Sequence, residues 1–237
     1  MTRRTVALCI ALIALVSQAG TAGQTVPNTL TPAEKAAGWK LLFDGKTLNG
    51  WQITGNPQGW TAQDGAIANL AQKGNMITTV DQFDDYILSL EYKLEERTNS
   101  GIFFRIADLR DSVQTGIEMQ LIDSKKPKEI NKFSCGSIYN CQAPMKHVCK
   151  PVGEWNRVVL TCRDNLIWID VNGKRTLYMN LDRWTTPKMN PDGTPNKFKT
   201  AYKDMARKGY IGFQDHGRRV WFRNIKIKPL PKRNGCG

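Results

Sequence analysis

The sequence predicts an all-β fold, a sandwich or jelly roll of antiparallel strands, and three observations carry that expectation. Apolar and polar residues alternate with a period of two, most clearly in Tyr86–Leu94, where Tyr86, Leu88, Leu90, Tyr92 and Leu94 interleave with Ser89, Glu91 and Lys93. The dipeptide Asn172-Gly173 joins two such runs, and this pair supplies the positive φ angles that a tight hairpin needs. Helical signals are confined to one short stretch near the N-terminus.

The elements follow in order. Arg3 and Arg4 precede an uninterrupted apolar run, Val6–Val16, and small residues follow in Ala19-Gly20-Thr21-Ala22-Gly23. That is the layout of an export signal over residues 1–22. The run is too short for a membrane span, which takes roughly 20 residues. Cys9 lies inside it and is a poor lipoprotein cysteine. Residues 31–37 read as a short helix, with Thr31 as N-cap, Pro32 at the first helical position and Glu34 closing a capping box. Strands are then expected at Tyr86–Leu94, Gly101–Arg105, Gly116–Asp123, Val158–Cys162, Ile167–Val171, Leu177–Met179, Gly209–Gln214 and Val220–Lys228. Between Asp182 and Lys208 the alternation dissolves into a Pro-, Asn- and Lys-rich stretch. So long a loop in a compact domain is usually functional or mobile. With no repeat and no linker, residues 38–230 read as one domain.

Composition sets the class. The chain of 237 residues is 41% hydrophobic, ample for one core, and carries a net charge of +13. Loss of Arg3 and Arg4 with the signal lowers this to +11. The basic residues are scattered, and with export this argues against a nucleic-acid partner. No later segment approaches a membrane span, so no membrane partner is expected once the signal is removed. Five cysteines remain: Cys135, Cys141, Cys149, Cys162 and Cys236. A disulfide within the Cys135–Cys149 loop is the preferred reading over a zinc site completed by His147, because the spacing matches no common zinc pattern. The pairing is not fixed by sequence.

The P-loop, G-x-G-x-x-G, G-x-S-x-G and H-E-x-x-H patterns are absent. No nucleotide or organic cofactor is therefore expected. His147 and His216 are the two histidines. In Gly116–Asp123, Ile117, Met119 and Leu121 share one face and Glu118 and Gln120 the other, where Glu118 either meets solvent or lines a cleft. Arg105 falls in line with Phe103, with a structural ion pair as the alternative. Gln214 and His216 share a face at a strand end beside Gly217, where a sandwich presents functional groups. Arg223 and Asn224 precede an Ile225/Ile227 core stripe.

These segments resemble the 3-keto-disaccharide hydrolase family. The opening Gly38-Trp39-Lys40-Leu41-Leu42-Phe43-Asp44-Gly45-Lys46-Thr47-Leu48-Asn49-Gly50-Trp51 is similar to the family's signature. In order come Asn99–Arg105, Gly116–Asp123, Gly136-Ser137-Ile138-Tyr139, Gly153-Glu154-Trp155-Asn156, Asn172-Gly173, Gly209–Gly217 and Phe222-Arg223-Asn224-Ile225. The resemblance covers about Gly38 to Leu230 and departs from the family at the Cys135–Cys149 cysteines. It implies a concanavalin A-like jelly roll of two antiparallel sheets, and cleavage of glycosides oxidised to a ketone at C3.

A C3 ketone acidifies the hydrogen on C2, so the expected chemistry needs a base, a donor for the enolate oxygen and an acid for the leaving oxygen. Glu118 and His216 are the candidate catalytic pair, with their roles open. Arg105 and Arg223 are candidates for the enolate oxygen or sugar hydroxyls, with a structural ion pair that anchors the final strand as the alternative for Arg223, and Asn99, Gln120, Gln214 and Asp215 for orienting the sugar. A divalent metal held by Glu118 and His216 is the open alternative mechanism. Two other functions are compatible with the fold. A two-carboxylate glycosidase would need Glu118 and Asp123 together, yet five residues along a strand puts them on opposite faces. A non-catalytic sugar-binding module could use the tryptophans Trp39, Trp51, Trp60, Trp155, Trp168, Trp184 and Trp221 as stacking platforms.

Overall fold

The computed structural model describes residues 26–73, 75–123 and 129–231. The expected signal peptide and Cys236 lie outside them. Helix α1 spans Pro32–Ala36 and α2 Ser112–Thr115. The strands are β1 (Lys40–Leu41), β2 (Trp51–Ile53), β3 (Trp60–Gln63), β4 (Ala66–Asn69), β5 (Met76–Thr79), β6 (Tyr86–Leu94), β7 (Asn99–Ile106), β8 (Ile117–Ile122), β9 (Asn156–Arg163), β10 (Leu166–Val171), β11 (Lys174–Asn180), β12 (Tyr210–Gln214) and β13 (Val220–Pro229). They form two antiparallel sheets. The first runs β11-β10-β9-β6-β13-β4-β3, with β1 also on β13, and the second runs β2-β5-β12-β7-β8. This is the jelly-roll sandwich that the alternation predicts.

Period two works because each strand turns one row inward. In β6 the five alternating residues Tyr86 to Leu94 are at most 6% exposed. Val158, Leu160 and Cys162 of β9 and Ile167, Ile169 and Val171 of β10 continue that floor. Across from it, the second sheet contributes Ile102, Phe104, Ile117, Met119, Leu121, Ile211 and Phe213. An aromatic column joins the sheets. Phe213 stacks on Phe222 at 3.8 Å and on Trp51 at 5.2 Å. Each such ring contributes roughly 2–3 kcal/mol through burial.

Two asparagines explain local departures from alternation. Asn172 and Gly173 have φ of 51° and 76°, the left-handed pair that turns β10 into β11. Asn224 (φ 53°) is a bulge in β13, so that Phe222 and Ile225, three apart, both face inward. Reciprocal hydrogen bonds between Asn224 and Asn28 tie the N-terminal arm to that bulge. The capping box of α1 is present, and Glu34 also pairs with Lys226 of β13.

The 182–208 loop is built around Asn190. Its side chain accepts from Trp184 Nε1 at 3.0 Å and donates to the carbonyl of Asn140 at 3.2 Å. Trp184, Phe198 and Tyr202 bury their rings beneath the loop. Its other anchor is Gln114 of α2, which bonds the backbone of Lys197 and Lys199.

Candidate active site

The site lies on the outer face of the second sheet, and strand register builds it. Because Ile117, Met119 and Leu121 face the core, Glu118 and Gln120 face away from it. Gly101 pairs with Gln120 and Phe103 with Glu118. On the other side of β7, Gly212 pairs with Phe103, and continuing that register sets Gln214 against Gly101. The face therefore presents two rows, Glu118-Phe103-Gly212 and Gln120-Gly101-Gln214. A small apolar cluster of Met76, Phe103 and Ile106, backed by Leu109 and Val113, packs over Gly212. The end bearing Gln214 leads to the turn that carries His216.

Glu118 is 5% exposed, and its carboxylate has no hydrogen-bond partner among the described residues. Burial pushes its carboxyl up to about 7, partly opposed by the charge of Lys197. Its Oε1 lies over Gly101: a Cβ built there would sit 2.5 Å from that oxygen. Gln120 donates from Nε2 to Asn99 Oδ1 at 3.1 Å, and its buried Oε1 is left without a partner. A sugar hydroxyl is the kind of donor that satisfies such an acceptor.

Segment 136–139 forms one wall by pairing with the free edge of β8. Gly136 N donates to Gln120 O, Gln120 N to Ser137 O, and Tyr139 N to Glu118 O. Lys197 completes this wall, its Nζ 4.2 Å from the centre of the Tyr139 ring. At the opposite rim, Asp215 N donates to Asn75 O and its carboxylate accepts from Gly217 N at 2.7 Å. This fixes the turn that holds the exposed His216. His216 lies two residues beyond the end of β12, at the rim of the face that carries Glu118.

The structure thus gathers Glu118, Gln120, Asn99 and Gln214, with Asp215 and His216 at the rim. It does not bring Arg105 or Arg223 there. Arg105 adopts φ 55° in a bulge between β7 and β12, so Phe103 and Ile106 share the outer face while Arg105 turns inward. Its guanidinium is fully buried, 3.3 Å from Asp85 Oδ1 and 2.6 Å from the carbonyl of Asp164. Arg223 belongs to the first sheet, bonds Glu91 at 2.7 Å and lies 4.0 Å over the Trp155 ring. It sits on the far side of the sandwich.

Sequence reasoning missed Lys197, Tyr139 and the space-making role of Gly101. Only the length of the 182–208 loop hinted at the first. Asp123 is held elsewhere, accepting from Arg97 N at 2.8 Å, and does not form a carboxylate pair with Glu118. Among the described residues no group of three or more His, Cys, Asp or Glu side chains is placed to hold a metal ion. The donor set around Glu118 and His216 does not fit one. The same observation leaves Cys135, Cys141, Cys149 and His147 without a zinc-like arrangement.

A model of the family described as 3-keto-alpha-glucoside-1,2-lyase-like domains matches residues 38–228. A 3-keto-disaccharide hydrolase of Bacteroides thetaiotaomicron is 29% identical over 231 aligned positions, covering 82% of this chain and 79% of that protein. A candidate glycosyl hydrolase from Parabacteroides distasonis ATCC 8503, known from its crystal structure, is 32% identical and superposes with a TM-score of 0.74, over 81% of this chain and 99% of that one. A second candidate from the same organism is 27% identical, with a TM-score of 0.72 over 87% and 100%.

Proposed function

Because this chain belongs to the family of 3-keto-alpha-glucoside-1,2-lyase-like domains, we propose that it cleaves glycosides bearing a ketone at C3, by elimination and rehydration on the outer face of the second sheet. It is a glycoside-cleaving enzyme of the hydrolase or lyase type. The observation that carries the mechanism is the buried, unpartnered carboxylate of Glu118 over Gly101, poised near neutral pH.

In this reading the sugar ring lies across Gly101, with C2 toward Glu118. The Glu118 carboxylate removes the C2 proton, and the C–H electron pair forms an enolate with its charge on the C3 oxygen. A base is most effective when its pKa lies near the working pH, and burial has brought Glu118 there. The Lys197 ammonium and the amide groups of Asn99 and Gln120 supply positive charge and donors to the enolate and hydroxyls. The C3 carbonyl re-forms, the electron pair moves to C1=C2, and the C1–O bond breaks. His216 protonates the departing oxygen at the open rim. Water then adds to C1 and a proton returns to C2, which gives net hydrolysis. Gln214 and Asp215 orient the ring and the turn.

The signal-like residues 1–22 support a place of action outside the cytoplasm, which detection of the mature chain beginning after Ala22 in a periplasmic or secreted fraction would test. The activity is tested by incubating the mature chain with a 3-keto aryl glucoside and its unoxidised parent. Aglycone release from the keto sugar alone is expected. Cleavage of the parent at a similar rate would replace this reading with that of an ordinary glycosidase.

A further inference from the structure

Away from Glu118, a cavity of about 550 Å³ lies at the C-terminal ends of β6 and β8. Tyr92, Leu94, Ile122, Val148 and Val152 line it, together with two cysteines, Cys135 and Cys149. The Tyr92 hydroxyl lies 3.4 Å from Cys135 Sγ and 3.5 Å from Cys149 Sγ. The two sulfurs therefore flank one hydroxyl, and each thiol acts on the ionisation of the other. Neither has such a relationship with another described cysteine. Cys141 packs beside Tyr202, and Cys162 lies under Tyr86 within β9.

We propose that Cys135 and Cys149 are a disulfide-forming pair, oxidised by exchange with a disulfide donor, either a small-molecule disulfide or the active-site disulfide of an oxidoreductase. Cys149 is the partly exposed member, whereas Cys135 is 2% exposed, so Cys149 reacts first. Its thiol is lowered to about 7 by hydrogen bonds from Cys135 and Tyr92, while that of Cys135 is raised. The Cys149 thiolate attacks one sulfur of the donor, forming a mixed disulfide and expelling one donor thiolate. Cys135 then loses its proton and attacks Cys149 Sγ, expelling the second donor thiolate. The protein loses two hydrogens and the donor disulfide becomes two thiols.

The cross-link has a structural consequence. Cys135 adjoins the 136–139 wall that hydrogen-bonds Gln120 and Glu118, and Cys149 adjoins Lys150, whose N–H is held by Asn156 at the start of β9. Oxidation therefore staples the wall beside the second sheet to the first sheet.

The test is a cysteine map of the mature wild-type chain after exposure to oxidised glutathione, with alkylation under denaturing conditions and peptide mass analysis. A Cys135–Cys149 cross-linked peptide is expected, two hydrogen masses below the reduced pair, with Cys141 and Cys162 alkylated. Reduction is expected to lower Tm by roughly 5–10 °C, and Cys149→Ser to abolish that shift and leave Cys135 alkylatable. Alkylation of both Cys135 and Cys149, or a cross-link from either to Cys141 or Cys162, would overturn the proposal.

Discussion

Gly101 and Glu118 occupy one volume: the carboxylate of Glu118 lies where a side chain at position 101 would begin, 2.5 Å from its first atom. Gly101 is not among the positive-φ positions, so space rather than backbone freedom is what it supplies. Gly101→Ala is therefore expected to displace the carboxylate and lower kcat about tenfold or more, with a smaller change in KM. In a Glu118→Ala background the same substitution should destabilise the fold less, the remaining cost coming from Phe103, whose ring carbon would lie 2.9 Å from the new methyl. A double-mutant cycle by denaturant unfolding checks this coupling.

Glu118 stores instability in exchange for a base that works at neutral pH. Its ordinary value of 4.5 rises to about 7 in the fold, so between these limits the folded chain keeps a proton that the unfolded chain has lost. Stability then falls as pH rises through that window and levels above it. Glu118→Gln, which resembles the protonated acid, is expected to match the parent near pH 4.5 and exceed it by ~3 kcal/mol above pH 7. Urea unfolding at several pH values provides the comparison. A stability difference independent of pH would contradict the burial of the carboxylate.

The pH–rate profile reports the same group. The acid limb of kcat/KM is expected near pH 7, as Glu118 ionises. Lys197 pulls that value down, so Lys197→Met should move the limb to higher pH and reduce kcat/KM at pH 6 by about three- to tenfold.

His216 is expected to matter in proportion to how poor the leaving group is. His216→Ala should slow release of a sugar or alkyl alcohol about a hundredfold, and release of nitrophenol far less, because nitrophenolate departs without a proton. Equal losses on both substrates would remove His216 from the role of acid.

The two arginines separate structure from chemistry. Arg105→Ala leaves Asp85 buried without its cation and is expected to cost ~3–5 kcal/mol of stability. Arg223→Ala breaks a half-exposed pair with Glu91, with an expected cost of ~1 kcal/mol or less and kcat near that of the parent. Thermal unfolding and steady-state kinetics on both variants provide the measurements.

What was legible in the sequence follows the physics of alternation. Strands such as β6 and β10 announce themselves because one face is buried and the other is wet. Glu118 and Gln120 were placed correctly for that reason, and so were Asn172-Gly173 and the α1 capping box. The short strands β1 to β5 span two to four residues each, too few for a period to appear. Arg105 was misread because a single bulge residue reverses every later side chain, and no sequence pattern marks that bulge. Arg223 failed differently: strand alternation says which face a residue takes, but not which sheet its strand joins. Lys197 reaches the site through a loop anchored by side-chain amides, and Tyr139 through an irregular segment bonded to the edge of β8, two forms of order without periodicity.

Removal of the C2 proton begins the proposed elimination, and isotope incorporation at that carbon tests it most directly. Turnover of a 3-keto glycoside in deuterated water, stopped early and corrected for spontaneous exchange of the product, is expected to give a sugar carrying deuterium at C2. Glu118→Gln should give neither cleavage nor exchange. A product that keeps its original hydrogen at C2, together with no primary isotope effect on turnover of the C2-deuterated substrate, would show that the glycosidic bond breaks without elimination and would contradict the mechanism.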